Sequence, residues 1–365
     1  MNLQRLAIYV GGFVGPFTGQ TLAVILPEFG QSFGISLSQA RWTLTAYLLP
    51  FALVMLFSTH LIKNLPPSRV IMWAYWFMVA DCVVLIVSPS WVVFVIGYCL
   101  MGIANAFTTP VFQIVLQHIT PPEKLGSALG TYTAMQSSGI FFAPLAAGVL
   151  VLFNWRYLFV FSLVCMVLIV VVRVPFVPAE VKTAEHTGVD WKNATAGMVG
   201  CFAVGFSVVG LGFLTALFAG DQFGLTPPQK GFVVMCGGLA AFIFSRPLGA
   251  LSDRIGVKTV LVGSLVVSAV GLAVIPVTPH AVVLGLVWGV CVLAAQGAQT
   301  AVNVLTLRGR GGRQVISTVQ AFRHFGTSSA PALMLPVYTA SQGLGFWVPA
   351  AIVVAAMVSQ LALRR

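Results

Sequence analysis

Twelve apolar runs, most of them close to 20 residues long, leave this chain few folds to choose from. A run of about 20 such residues crosses roughly 30 Å of hydrocarbon as an α-helix. Lipid offers no water to the backbone, so each N–H and C=O in such a run must be paired within its own segment. The runs lie near 6–27, 41–62, 70–88, 91–117, 127–152 and 156–174, and then near 194–219, 231–252, 259–277, 281–307, 317–340 and 344–363. Only 7% of the residues are charged and 58% are hydrophobic, with a mean hydropathy of +0.98. Soluble domains carry roughly 25% charged residues, which excludes a water-exposed surface. The reading is an all-α integral membrane protein of 12 transmembrane helices. The first run is too long for a signal peptide and no small-residue cleavage site precedes the second, so it is read as a retained span.

The net charge of +11 is not a nucleic-acid signal, because the bases do not cluster on an amphipathic surface. Of the 19 basic residues, all but Arg41, Arg156, Lys230 and Arg323 fall at the termini, at Arg246, or in loops near 63–69, 120–126, 175–193, 253–258 and 308–316. Lys and Arg gather on the cytoplasmic side of membrane proteins, so both termini are expected there. Cys82, Cys99, Cys165, Cys201, Cys236 and Cys291 sit inside apolar segments with no close pair, which argues for inert thiols rather than metal or disulfide chemistry. The chain has no phosphate-cradling glycine loop, His-rich cluster or Ser/His/Asp arrangement. It is expected to be neither an ATPase nor another enzyme, and to need no cofactor or metal.

One polar stretch of any length, 175–192, holds Glu180, Glu185 and Asp190 of the chain's eight acids. It is read as a cytoplasmic linker, 179–193, between six-span halves at 1–178 and 194–365. The halves look duplicated. Gly139-Ile-Phe-Phe-Ala-Pro144 recurs as Gly326-Thr-Ser-Ser-Ala-Pro331, 187 residues later. Arg41 and Lys230, each just before an even-numbered span, are 189 apart, and so are Arg69 and Lys258. Three matches at nearly one offset point to a repeated six-span unit.

Polar side chains inside spans are costly, which makes them functional candidates. Asp81 is the one carboxylate deep in a span. It reads either as a proton carrier or as a hydrogen-bonding group between helices. Arg323 and His324 lie in the eleventh span, where an Arg must pair or face water. Either Arg323 lines the substrate route and holds an anionic group, or it pairs with helix-end carbonyls. Trp288, Gln296, Gln299 and Asn303 share an arc of about 80° on the tenth span, and Tyr98, Asn105 and Thr109 form a similar stripe on the fourth. Gln20 and Thr21 in the first span, with Tyr132 and Gln136 in the fifth, join the set. Between the eighth and ninth spans, Arg246, Gly249, Asp253, Arg254, Gly256 and Lys258 form a dense polar joint. Gly256 suits a positive φ, and Asp253 sits where it would cap the next helix.

That joint, Gly249-Ala-Leu-Ser-Asp-Arg-Ile-Gly-Val-Lys258, resembles the signature loop of the major facilitator superfamily, in its second-half copy. Gly139-Ile-Phe-Phe-Ala-Pro-Leu-Ala-Ala-Gly148 resembles the fifth-span antiporter motif, in which Gly139, Pro144 and Gly148 let the helix pack closely and bend. Trp42-Thr-Leu-Thr-Ala-Tyr-Leu-Leu49, Pro121-Pro-Glu-Lys-Leu-Gly-Ser-Ala-Leu-Gly130 and Asn154-Trp-Arg-Tyr-Leu-Phe159 are similar to stretches of bacterial drug:proton antiporters. There are departures. In the first-half loop Asn64 stands where the acid belongs, and His60 and Pro67 replace the glycines. Tyr98 replaces a fourth-span Arg, and Thr18 stands where a first-span Asp often lies.

The resemblance implies two six-helix bundles related by a pseudo-two-fold, with the first, fourth, seventh and tenth spans around a central cavity that the polar stripes would face. It implies a bacterial cytoplasmic membrane, a secondary transporter working by alternating access, and a monomer whose partners are a small-molecule substrate, protons and lipid. The lining, aromatic, amide-rich and almost uncharged, suits a neutral, amphipathic or weakly anionic organic compound. The expected activity is proton-coupled export of such compounds, with Asp253 as a conformational latch. The rival is an uncoupled facilitator or metabolite importer, favoured by the missing Arg and acid. A membrane enzyme and a sensor with a dead cavity find less in the residues.

Overall fold

The computed structural model describes residues 3–23, 25–179 and 188–363, and every regular element among them is helical. Helices α1 (Leu3–Gln20), α2 (Leu26–Phe33), α3 (Leu37–Met55), α4 (Ser58–Leu61), α5 (Pro67–Val87), α6 (Trp91–Ile119), α7 (Leu125–Leu150) and α8 (Tyr157–Val172) come before the linker. After it come α9 (Trp191–Ser207), α10 (Gly212–Phe223), α11 (Pro227–Ile255), α12 (Val257–Val274), α13 (Ala281–Arg308), α14 (Gly312–Ala340) and α15 (Leu344–Leu363). Among the described residues, seven helical stretches are individually long and apolar enough to cross a membrane, and Trp42–Met55 and Tyr157–Val172 are shorter apolar ones. With α1, α7 and α14 these make up the twelve spans. Most of the linker, 180–187, lies outside the described residues.

The second run divides into α3 and α4, and two further spans are not continuous helices as their apolar runs suggest. The first breaks into α1, a 3-10 turn at Thr21–Ala23 and α2; the seventh breaks into α9, a 3-10 turn at Val209–Leu211 and α10. A break leaves helical carbonyls without their usual partner, and in an apolar setting side chains must replace it. Tyr98 Oη donates to the Thr18 carbonyl at 2.8 Å, and Thr21 Oγ1 donates to the same oxygen at 3.1 Å. At the other break, Thr327 Oγ1 donates to the Gly205 carbonyl at 3.3 Å.

By their contacts the residues fall into two units, 1–119 with 135–182, and 120–134 with 183–365. Each is packed on the same plan. In the first, α6 holds α3 and α5, and α8 holds α1 and α5; in the second, α13 holds α11 and α12, and α15 holds α9 and α12. The local devices repeat as well. Ser36 and Gln39 form a reciprocal capping box that starts α3, and the Thr226 N–H donates to Gln229 Oε1 at 2.9 Å where α11 starts. Each is preceded by a left-handed glycine, Gly34 with φ 64° and Gly224 with φ 64°. Phe13 and Phe17 stack on α1 at 5.1 Å, as Phe202 and Phe206 do on α9 at 5.8 Å. A Cβ on Gly139 would collide with the Phe13 carbonyl, and one on Gly326 with the Phe202 carbonyl, so both crossings bring backbones together where only glycine fits.

Candidate functional site

Asp253 lies in the last turn of α11 and does not cap α12, whose N-cap is Gly256 with no side-chain bond. The expected local cap is replaced by a distant one. Its carboxylate accepts from the Gly126 N–H at 2.8 Å and the Ser127 N–H at 2.7 Å, at the first turn of α7. The reason is electrostatic: the open N–H groups and positive dipole end of α7 outbid a helix that starts only after the glycine turn. Each such charge-assisted bond contributes about 1.5–3 kcal/mol.

Small residues bring the acid there. Gly126 and Gly130 on α7 face Ser245 and Gly249 on α11, at a spacing of four on both helices. A Cβ on Gly130 would lie 2.5 Å from the Ser245 carbonyl oxygen, and one on Gly249 would strike the Gly126 carbonyl. Gly256, at φ 98°, makes the one-residue bend between α11 and α12. Arg246, Arg254 and Lys258 are exposed around the joint. Arg308 adds a contact that the sequence reading missed, donating to the Pro122 carbonyl just before α7.

On α13, Trp288, Gln296, Gln299 and Asn303 are all buried. Trp288 Nε1 donates to the Val234 carbonyl of α11 at 3.2 Å. Gln299 Nε2 donates to Asn303 Oδ1 at 3.0 Å and to Cys201 Sγ of α9 at 3.2 Å. Gln296 Oε1 and Gln299 Oε1 are buried without a partner among the described residues, and so is Gln320 Nε2 on α14. Arg323, one turn beyond Gln320, is half-buried; its backbone packs on Gly205, and its guanidinium is within electrostatic reach of Cys201. Tyr132 is buried and Gln136 half-buried on α7, where Thr133 Oγ1 and Thr300 Oγ1 of α13 are 3.0 Å apart.

The fourth-span stripe is closed on itself. Asn105 Nδ2 donates to Tyr47 Oη at 2.9 Å, Asn105 Oδ1 accepts from Thr108 at 3.0 Å and from Thr109 at 3.4 Å, and Tyr47 donates to the Gly15 carbonyl at 3.3 Å. Tyr98 is engaged by the break at Thr18 and packs on Tyr47, Phe94 and Phe159. Gln20 is half-buried at the end of α1 and Thr21 is buried beside it. Asp81 on α5 is 7% exposed, and its Oδ2 has no partner among the described residues. A Cβ on Gly97 would lie 3.1 Å from Asp81 Oδ1, so that glycine leaves room for the carboxylate. Pro144 is exposed within α7; the surroundings of Gly148 lie outside those described. No group of three or more His, Cys, Asp or Glu among the described residues is placed to hold a metal.

Arg156 is a further residue whose part the sequence reading did not foresee. Its guanidinium donates to the Leu85 and Ile86 carbonyls and to both oxygens of Ser88, closing the C-terminal end of α5. It also lies over the Trp155 ring at 4.7 Å and the Phe33 ring at 5.7 Å, while Trp155 Nε1 donates to Ser32 Oγ at 2.9 Å. The stretch Asn154-Trp-Arg156 is thus a clamp on the ends of α2, α5 and α8.

Two units built on one plan from broken and continuous membrane helices, the second with a glycine-lined acid latch of its own, define a membrane-transporter fold. The chain belongs to the Major Facilitator Superfamily, which it matches over residues 8–196 and again over 197–365. It is therefore a multi-pass membrane transporter, with 12 transmembrane helices in two six-helix bundles related by pseudo-two-fold symmetry. The riboflavin transporter RibZ of Clostridioides difficile is 20% identical over 347 residues, covering 74% of this chain and 73% of that relative. The lincomycin resistance protein LmrB of Listeria monocytogenes is 27% identical over 159 residues, 42% of this chain and 33% of that protein. Among solved structures, the human organic anion transporter MFSD10 (TETRAN) superposes with a TM-score of 0.77 at 11% identity, covering 98% of this chain and 99% of that one. A bacterial homologue of the iron transporter ferroportin, in its outward-facing state, gives a TM-score of 0.73 at 16% identity with full coverage of both chains. At such identities these two structures speak for the fold alone.

Proposed function

We propose that this transporter exports small amphipathic organic compounds in exchange for protons, by alternating access. The observation that carries the reading is the Asp253 carboxylate seated on the first turn of α7, the helix that bears the antiporter-like stretch Gly139–Gly148. A latch made of two charge-assisted bonds, about 1.5–3 kcal/mol each, is strong enough to hold one state and weak enough to release. LmrB, a lincomycin resistance protein, supports efflux of a drug-like compound. Asp81, buried with an open carboxylate oxygen, is the candidate proton carrier. The distribution of Lys and Arg supports cytoplasmic termini in a bacterial inner membrane. The division at 1–178 and 194–365 and a monomeric state belong to the same proposal.

The second reading is an uncoupled facilitator or importer of a metabolite. RibZ, a riboflavin transporter, favours it, as do Thr18 and Tyr98 in place of the usual first-span acid and fourth-span Arg. Transport into proteoliposomes with an imposed pH gradient separates the two. The first reading expects uptake that collapses with the gradient and loses its dependence on it in Asp81→Asn. A rate indifferent to the gradient, or unaltered in that variant, removes proton coupling and leaves the facilitator.

A further inference from the structure

Arg323 carries a charge that no carboxylate among the described residues balances. It sits near the middle of the 29-residue α14, and its guanidinium makes no hydrogen bond or carboxylate contact among the described residues. Beyond residue 190 the sequence has two acidic side chains, Asp221 and Asp253. Both are engaged elsewhere. Asp221 accepts from Tyr338 Oη at 2.8 Å, and Asp253 holds the start of α7. Asp190, the acid before them, accepts from the Asn193 N–H at the start of α9.

Next to this cation lie amides with open valences. Gln320, one turn earlier on the same helix, is 5% exposed, and its Nε2 is buried without a partner among the described residues. Gln299 reaches Cys201 of α9, one turn before the Gly205 that packs on the Arg323 backbone, while its own Oε1 stays open. Leaving a buried polar group unsatisfied costs about 1–3 kcal/mol. Such groups make physical sense when a ligand completes them.

We propose that the second unit recognises an organic monoanion of the carboxylate class, with Arg323 as its counter-charge and Gln320 donating to it. Gln299 Oε1 accepts from a hydroxyl or N–H on the same molecule. This rests on the transport reading above and names its substrate class. One cation among amides and apolar side chains matches a single negative charge on an apolar body; inorganic phosphate draws several positive groups.

The test uses the full chain in lipid nanodiscs and a panel of aromatic and alicyclic monocarboxylates, each paired with its primary carboxamide and its aminomethyl analogue. Carboxylates are expected to bind at least about tenfold more tightly than their amides, as a hydrogen-bonded charge contributes. Arg323→Gln should abolish that preference while keeping carboxamide binding, which also reports an intact fold; Arg323→Lys should keep part of it. Gln320→Leu should weaken carboxylates about threefold to tenfold, as loss of one hydrogen bond does. Equal or better binding of amides or amines, a preference that survives Arg323→Gln, or no binding by any carboxylate overturns the inference. Arg323-dependent binding of carboxylates that proteoliposomes do not carry overturns the transport reading and leaves the anion site standing. Carriage of neutral or cationic compounds, unimpaired in Arg323→Gln, does the reverse.

Discussion

Asn105 on α6 and Gln299 on α13 are buried amides on equivalent long helices of the two units, and they are treated differently. Asn105 has a partner on each end of its amide, through Tyr47, Thr108 and Thr109. Gln299 is served at its nitrogen only, and Gln296 and Gln320 nearby are open as well. The tyrosines of the first unit likewise answer a broken helix, whereas the Arg323 guanidinium in the second makes no hydrogen bond among the described residues. The scaffold is shared, so the difference lies in what each half does with its polar groups. At these positions the first half uses them to hold its shape and the second leaves amide atoms open, although Asp81 Oδ2 and Gln113 Oε1 in the first half are open too.

The most damaging way to probe that comparison is at the shared scaffold. Gly139→Leu and Gly326→Leu should each prevent correct folding, since both side chains would enter a neighbouring backbone, and overpacking that cannot relax costs upwards of ~3 kcal/mol. Detergent extraction followed by size-exclusion chromatography reads this out; if one variant elutes normally, the crossings are not equivalent. Next comes the latch. Asp253→Asn is expected to slow transport by about tenfold or more, through loss of two charge-assisted bonds, whereas Asn64→Ala should leave it within about twofold. Equal rates in the two variants would mean that the joint does not gate.

Smaller effects sharpen the contrast between closed and open amides. Asn105→Leu should lower unfolding stability in micelles by about 1–3 kcal/mol, because Tyr47 and two threonines lose a buried partner. Gln296→Leu should leave stability unchanged or raise it, while weakening the ligand. If the tenth-span change destabilises as much as the fourth-span one, the second half is not holding its groups open. The smallest expected pair is Ser36→Ala and Thr226→Ala, each costing about 1 kcal/mol at a helix start.

The twelve spans were legible because a run of apolar residues has one solution in lipid, and the duplication showed in three spaced matches. A stronger signal went unread: Gly34-Ile-Ser-Leu-Ser-Gln39 and Gly224-Leu-Thr-Pro-Pro-Gln229 lie 190 apart and build the same turn and helix start. The breaks in the first and seventh spans were not visible. What stabilises them is Tyr98 and Thr327, each on a different helix, and no local pattern announces a distant donor. Asp253 misled for the same reason. Its neighbours in sequence suggested a cap for α12, while its partners lie more than a hundred residues earlier, at Gly126 and Ser127. Arg156 looked like a stray base on the wrong side, and only the carbonyls at the end of α5 explain it.

Arg156 also fixes α5 lengthwise. A helix gripped by its final carbonyls cannot slip along its axis without releasing them, and the grip is braced by Trp155 and Phe33. Asp81 lies six residues before the end of that helix at Val87, a rise of about 9 Å, and so is pinned at one depth. A carboxylate moored in this way carries its proton without itself changing depth. If it takes a proton, water must be let in to meet it, by the parting of side chains around Gly97, and the timing of exchange belongs to those neighbours rather than to the acid.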